Sequence, residues 1–156
     1  MSAKYSEPSA KEEKLKQIIE KLSPRDKKRL DAIENQTTKL RRSRKVFVRD
    51  VILKERDKEK DGTIRCHYCS IEENDIKKYW EPIYAKNGKS SRRVLEVEHK
   101  NPKDKNGNEN NHLENLVLAC PICNIAKSDQ FSEEEFKKVG KVIREIWQQR
   151  KNKAAR

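Results

Sequence analysis

Apolar positions fall in short, well-separated sets along this chain, and their spacing predicts its elements. Lys11 to Leu22 puts Leu15, Ile18, Ile19 and Leu22 on one face of a short amphipathic helix, after a polar start at residues 1 to about 10 expected to fray. Ser23, Pro24 and Asp26 supply the N-cap, first-turn proline and first-turn acid of a second helix. Its apolar positions, Leu30, Ile33 and Leu40, make a thin stripe that suits a partner surface or a domain edge better than burial. Val46, Phe47, Val48, Val51 and Ile52 are expected to dock this segment on a core, and KERDKEKDG reads as a loop or fraying helix end.

Beyond the Cys66-His-Tyr-Cys69 turn the pattern turns to β. Trp80 to Ala85 and Arg93 to His99 flank the hairpin signal Asn87-Gly88, with Ser90 and Ser91 favouring a looser loop. Pro102 stops the second strand. A polar loop, Lys103 to Asn111, leads to an apolar strand at Asn115 to Ala119, and Pro121 opens a helix carrying Cys123, Asn124 and Lys127. Ser132 with Glu135 forms a capping box and Phe131 with Phe136 a hydrophobic staple. Phe136, Val139, Ile143, Ile146 and Trp147 then mark one helix face, expected to be core, with a dimer seam as the alternative. The tail RKNKAAR is basic.

Composition changes this picture in two ways. With 33% hydrophobic and 41% charged residues in 156, the core must be small, so another device has to help hold it. Four cysteines, in two C-x-x-C pairs, offer one. The start MSAKYSEPSAKEEK lacks an apolar leader segment, and no run approaches the roughly 18 residues a bilayer span needs, so an intracellular setting is expected. In a reducing compartment such pairs are metal ligands sooner than disulfides. Each turn can aim two thiolates at one zinc about 2.3 Å away, so Cys66, Cys69, Cys120 and Cys123 complete a tetrahedron and staple the long insertion between them. His67 is a competing donor that a four-thiolate site does not need, and His112 falls in the polar loop.

Charge is the second change. The chain has 38 Lys+Arg against 26 Asp+Glu, a net +12, the balance of a protein that works on phosphates. Residues 1–60 hold 19 basic and 11 acidic residues, a net +8. Within them Lys39, Arg41, Arg42, Arg44, Lys45 and Arg49 stand with no acid among them. A solvated helix face is one reading; a DNA-backbone clamp is favoured, because six such cations repel one another unless phosphate is near.

The run of Cys66-x-x-Cys69, Val97-Glu98-His99 with Pro102, Glu114-Asn115-Leu116, and Cys120-Pro-Ile-Cys123-Asn124 with Lys127 resembles the HNH endonucleases of the His-Me-finger, or ββα-metal, group. It covers residues 66 to about 129. The resemblance implies an α+β fold: a ββα-metal core with a structural four-cysteine zinc, flanked by N-terminal and C-terminal helices. It divides the chain into a basic helical arm at 1–60, the core at 61–130, and an amphipathic helix and tail at 131–156. It implies His99 as general base, Glu98 (usually Asp in the family, one methylene shorter) and Asn124 as ligands of Mg²⁺ or Mn²⁺, Asn115 as a brace for the loop and the histidine, and Lys127 as a basic residue near the phosphate. The KSDxFSxxEF continuation resembles small zinc-containing HNH restriction enzymes.

Elementary chemistry asks for the same parts. Phosphodiester hydrolysis needs an aligned water, a base titrating near neutrality and a hard cation on the phosphoryl oxygens. Adjacent residues of a regular strand face opposite ways, so Glu98 and His99 converge only if the strand ends or bends there. The expected function is DNA cleavage, with duplex DNA as partner, no membrane, and a homodimer or two nicks for a double-strand cut. Restriction or a phage or mobile element is the expected setting. A non-catalytic zinc-stapled nucleic-acid-binding module and an RNA-cleaving toxin are the rivals.

Overall fold

The computed structural model describes residues 9–79, 94–103 and 106–156. The start before Ser9 expected to fray, the strand expected at Trp80 to Ala85 and the turn expected at Asn87-Gly88 lie outside the described residues. Ser9 and Glu12 form a capping box that starts helix α1 (Ala10–Lys21). Leu15 is buried beneath it, with Ile18, Ile19 and Leu22 half-buried around it. Ser23 accepts from the Asp26 N–H to begin helix α2 (Pro24–Glu34), with Pro24 in its first turn.

The stripe on α2 goes into the core, against the expectation of an edge. Leu30 and Ile33 are buried on α2, and Leu40, expected on the same helix, is buried in the stretch that follows it, because α2 ends at Glu34. The physical reason is that α2 folds back along helix α3 (Arg42–Phe47): Arg29 donates to the Ser43 carbonyl and lies 4.3 Å over the Phe47 ring, while Arg44 reaches the Ala32 carbonyl. Three apolar residues suffice where arginine stems cover the remainder.

Helix α3 continues without a break through a π-helical stretch, Val48–Leu53, into helix α4 (Lys54–Asp57). This run buries Phe47, Val48, Ile52 and Leu53, leaving Val46 and Val51 more exposed than their hydropathy suggests. Part of the charged run after Ile52 is thus helical. Arg56, itself buried, donates to the carbonyls of Leu113 and Leu116 and pairs with Asp57. Lys11 reaches Asp57 at 3.2 Å and ties α1 to the same end.

Among the described residues the sheet is one antiparallel pair. Strand β1 (Glu96–His99) pairs with strand β2 (Leu116–Ala119) in the register Glu96↔Ala119, Val97↔Leu118, Glu98↔Val117 and His99↔Leu116. Asn115 belongs to a 3-10 turn, Leu113–Asn115, just before β2. Both strands pack on the π-helical stretch, and helix α6 (Pro121–Lys127) packs on β1. Helix α5 (Glu73–Tyr79), which the pattern did not predict, follows the first knuckle.

Helix α7 (Glu133–Ala154) has the expected Ser132–Glu135 capping box and a Phe131–Phe136 ring contact, with centroids 6.2 Å apart. Its buried face is Phe136, Gly140, Ile143 and Trp147, so it is core, while Val139 and Ile146 are exposed. Gly140 is required by proximity: a Cβ there would lie 2.7 Å from the Tyr68 carbonyl oxygen. No helix among the described residues is long and apolar enough to cross a membrane.

Candidate functional site: a thiol cluster and an acid-histidine cleft

Cys66 to Ser70 make a tight knuckle: the Ser70 N–H donates to the Cys66 carbonyl, the Cys66 N–H to the Ile71 carbonyl, and the His67 N–H to Leu118 of β2. The backbone N–H of Cys120 points at the Cys66 sulfur and that of Cys123 at the Cys120 sulfur. The four Sγ atoms lie within 4.8 Å of one another, with Cys69 and Cys120 3.6 Å apart. A tetrahedral zinc with bonds of ~2.3 Å needs edges of ~3.8 Å, so the donor set and spacing fit. Electrostatics points the same way. Burial works against an ionised Cys66, yet hydrogen bonds from the other three thiols bring it well below the ordinary thiol value; Cys123 is pushed up, by its bonds to Cys120, Cys66 and Cys69 and by burial. A divalent cation there would let the four thiols ionise together.

His67 sits outside this cluster, its Nε2 2.6 Å from Glu133 Oε1 and its ring edge-on to Tyr68. His112 is exposed in the polar loop.

The second centre is a cleft of about 970 Å³ beside β1. It is lined by Glu96, Glu98, His99, Glu109 and Asn124, and on the facing side by Lys39, Arg42, Lys45 and Arg49. Arg41 and Arg44 do not line it; Arg44 is half-buried against Gln36. Arg49 has its counter-charge in Asp50, at 2.8 Å, just past the acid-free segment. The basic stretch is therefore partly answered within the fold, and Lys39, Arg41 and Arg42 are its exposed members.

His99 is buried and fixed by a residue the sequence did not single out. Its Nε2 is 2.8 Å from Asn111 Oδ1. Asn111 spends its own N–H groups on the carbonyls of Gln36 and Thr38, at 2.5 and 3.2 Å, so its oxygen faces the ring and Nε2 must carry the proton. Nδ1 is left as the basic nitrogen. Burial lowers the imidazole below its ordinary value, against the Asn111 bond and the Glu109 charge 3.6 Å away, so the neutral ring is favoured. Asn115 braces the loop and not the ring: its amide donates to the carbonyls of Asn101 and Asn110 and accepts from the Asn101 N–H.

Glu98 is also buried, and burial raises its carboxyl above the ordinary value, opposed chiefly by the Lys127 charge. Lys127, expected near the phosphate, is 0% exposed. Its Nζ donates to Glu98 Oε1 at 3.2 Å and to the His99 carbonyl at 2.8 Å. The correction has a physical reason: an ammonium removed from water needs an ionised partner, and Glu98 is that partner. The same two bonds tie Glu98 and the end of β1 to α6. Asn124, on the next turn of that helix face, donates to Glu96 Oε2 at 2.6 Å. Glu98 Oε2 and Asn124 Oδ1 are hard oxygen donors of the kind Mg²⁺ or Mn²⁺ takes. Glu96, Glu109 and Asn111 escaped the sequence reading. For Glu96 a signal existed, since two residues before Glu98 on a strand means the same face.

Residues 66–130 match the family model described as HNH endonuclease. Among solved structures, the rare-cutting HNH restriction endonuclease PacI is similar at 23% sequence identity, over 96% of this chain and 91% of that chain, with a TM-score of 0.46. No curated protein sequence matches the chain.

Proposed function

We propose that the protein hydrolyses DNA phosphodiester bonds with His99 as general base and a divalent ion on Glu98 and Asn124, a reading supported by the match of residues 66–130 to the HNH endonuclease family model. One observation carries the reading: His99, Glu98 and Asn124 line the same cleft as Lys39, Arg42, Lys45 and Arg49. His99 Nδ1 takes the proton of the attacking water, because Nε2–H is committed to Asn111. Burial keeps that nitrogen free of protons near neutral pH, as a general base requires. Bound at Glu98 and Asn124, Mg²⁺ or Mn²⁺ would supply charge stabilisation to the phosphoryl and leaving oxygens. The basic wall neutralises backbone phosphates and sets the duplex against the cleft. Cys66, Cys69, Cys120 and Cys123 hold a structural zinc away from the chemistry.

The products are a 5′-phosphate and a 3′-hydroxyl, and one ββα unit serves one strand, so a double-strand cut takes a homodimer or two sequential nicks. A restriction or mobile-element nuclease is the setting that suits this chemistry. The test is cleavage of supercoiled plasmid in Mg²⁺ or EDTA, wild type against His99→Ala at matched zinc content. Metal-dependent nicks or breaks that vanish in the variant while DNA binding persists support the reading. Equal, salt-sensitive binding without cleavage by either protein sinks it and leaves a zinc-stapled binding module; cleavage of structured RNA alone moves the substrate class to RNA.

A further inference from the structure

Strand β1 and helix α6 meet through two rungs of like design. Glu96 and Glu98, two apart on the strand, share a sheet face; Asn124 and Lys127, three apart on the helix, share a helix face. The lower rung is Glu98 to Lys127, which takes one carboxylate oxygen, Oε1, and leaves Oε2. The upper rung is Asn124 to Glu96, at 2.6 Å.

The upper rung has a chemical consequence. A carboxylate only accepts hydrogen bonds, so the end of the Asn124 amide facing Glu96 has to be the NH₂ group. The carbonyl oxygen is thereby turned the other way. An asparagine without such a partner can rotate its amide by half a turn at little cost and offer a cation its NH₂ group, which cannot ligate. Both Glu96 and Asn124 line the cleft, and Glu96 is half-buried, which strengthens a bond made there.

We propose that Glu96 is a positioning residue for the metal centre: by accepting the Asn124 N–H at 2.6 Å, it holds Asn124 Oδ1 toward the ion. The assignment rests on the reading that Glu98 and Asn124 are ligands, and goes beyond it by naming what orients one of them. Glu96 is not a ligand in this scheme. Its charge is dispensable and its acceptor oxygen is not.

That distinction sets the experiment. Mn²⁺ binding is measured by electron paramagnetic resonance on zinc-loaded protein without DNA, for wild type, Glu96→Gln, Glu96→Leu, Glu98→Gln and Asn124→Ala, with thermal melts as a check on folding. Gln keeps an acceptor for Asn124 and is expected to bind Mn²⁺ within about fivefold of wild type, the scale of one removed surface charge. Leu removes the acceptor and is expected to lose about 10–100-fold, the usual range for a group that orients a ligand. Glu96→Leu should regain part of its cleavage at raised Mn²⁺. Equal losses in the Gln and Leu variants, at unchanged melting temperature, overturn the proposal and make Glu96 a ligand in its own right. Unchanged binding in Glu96→Leu overturns it as well. Unchanged binding in both Glu98→Gln and Asn124→Ala removes the metal assignment itself, and the proposal with it.

Discussion

Two polar centres share helix α6, Cys120 and Cys123 at its start serving one and Asn124 and Lys127 further along serving the other, and they solve the problem of buried charge in opposite ways. In the thiol cluster, four like groups converge within 4.8 Å. The cleft instead carries its own neutralisation: Lys127 answers Glu98, and Asn111 and Glu109 face His99. A cluster of like charges needs a cation to exist, whereas a set of mixed charges is formed before any ion arrives. The first is therefore coupled to folding, and the second is free to be tuned for chemistry.

Removing the cation from the first centre should break the comparison most severely. If the four cysteines hold zinc as proposed, its chelation, or Cys123→Ser, is expected to abolish cooperative thermal unfolding, because the metal's link between residues 66–69 and 120–123 is lost; circular dichroism melts with metal analysis check it. A melt unchanged after complete zinc loss would contradict this account. The largest effect in the cleft is functional: His99→Ala should lower cleavage by about 10²–10⁴-fold while the melt stays near wild type.

Next in size is the buried pair. Lys127→Met leaves Glu98 buried without its partner and should cost about 3–5 kcal/mol in denaturant unfolding, and Lys127→Met with Glu98→Gln should recover much of that. Equal losses in single and double variants would show that Lys127 acts through packing alone. Gly140→Ala should cost about 1–3 kcal/mol, since the added methyl meets the Tyr68 carbonyl at 2.7 Å and outweighs the roughly 1 kcal/mol of helix propensity gained.

The smallest effect lies outside both centres and serves as their control. Burial pushes the Asp57 carboxyl up, but Arg56 and Lys11 more than reverse it, holding it below its ordinary value. A depressed carboxyl stabilises the fold above its unfolded pKa, and that contribution fades as pH falls through the folded value. The stability gap between wild type and Asp57→Asn should thus be full at neutral pH and close below about pH 4, read by urea titrations across that range.

What could be read from the chain was local. The capping boxes, the Pro121 helix start, the two knuckles and the Glu98-His99 pair are set by residues within a few positions of one another, and the described structure contains them. Asn111 was missed because its partner carbonyls, Gln36 and Thr38, lie over 70 residues earlier, and nothing in a polar loop marks which asparagine will reach them. Lys127 was read as a residue near the phosphate; its burial depends on the β1–α6 packing and on Glu98 facing that helix, neither of which is local in the chain. The α2 stripe was judged thin by counting apolar residues alone, which ignores Arg29 and Arg44 as cover. Glu96 was within reach of the strand period but lay one step outside the adjacent pair that drew the reading.

The Asn111 amide joins more than two side chains. Through it, the turn that delivers Lys39 to the cleft and the imidazole of His99 share one small rigid plate. A phosphate loaded on Lys39 at that turn would reach the ring only through this plate, and any coupling of that kind would be reciprocal. The grip and the base are, in that sense, two readings of one balance.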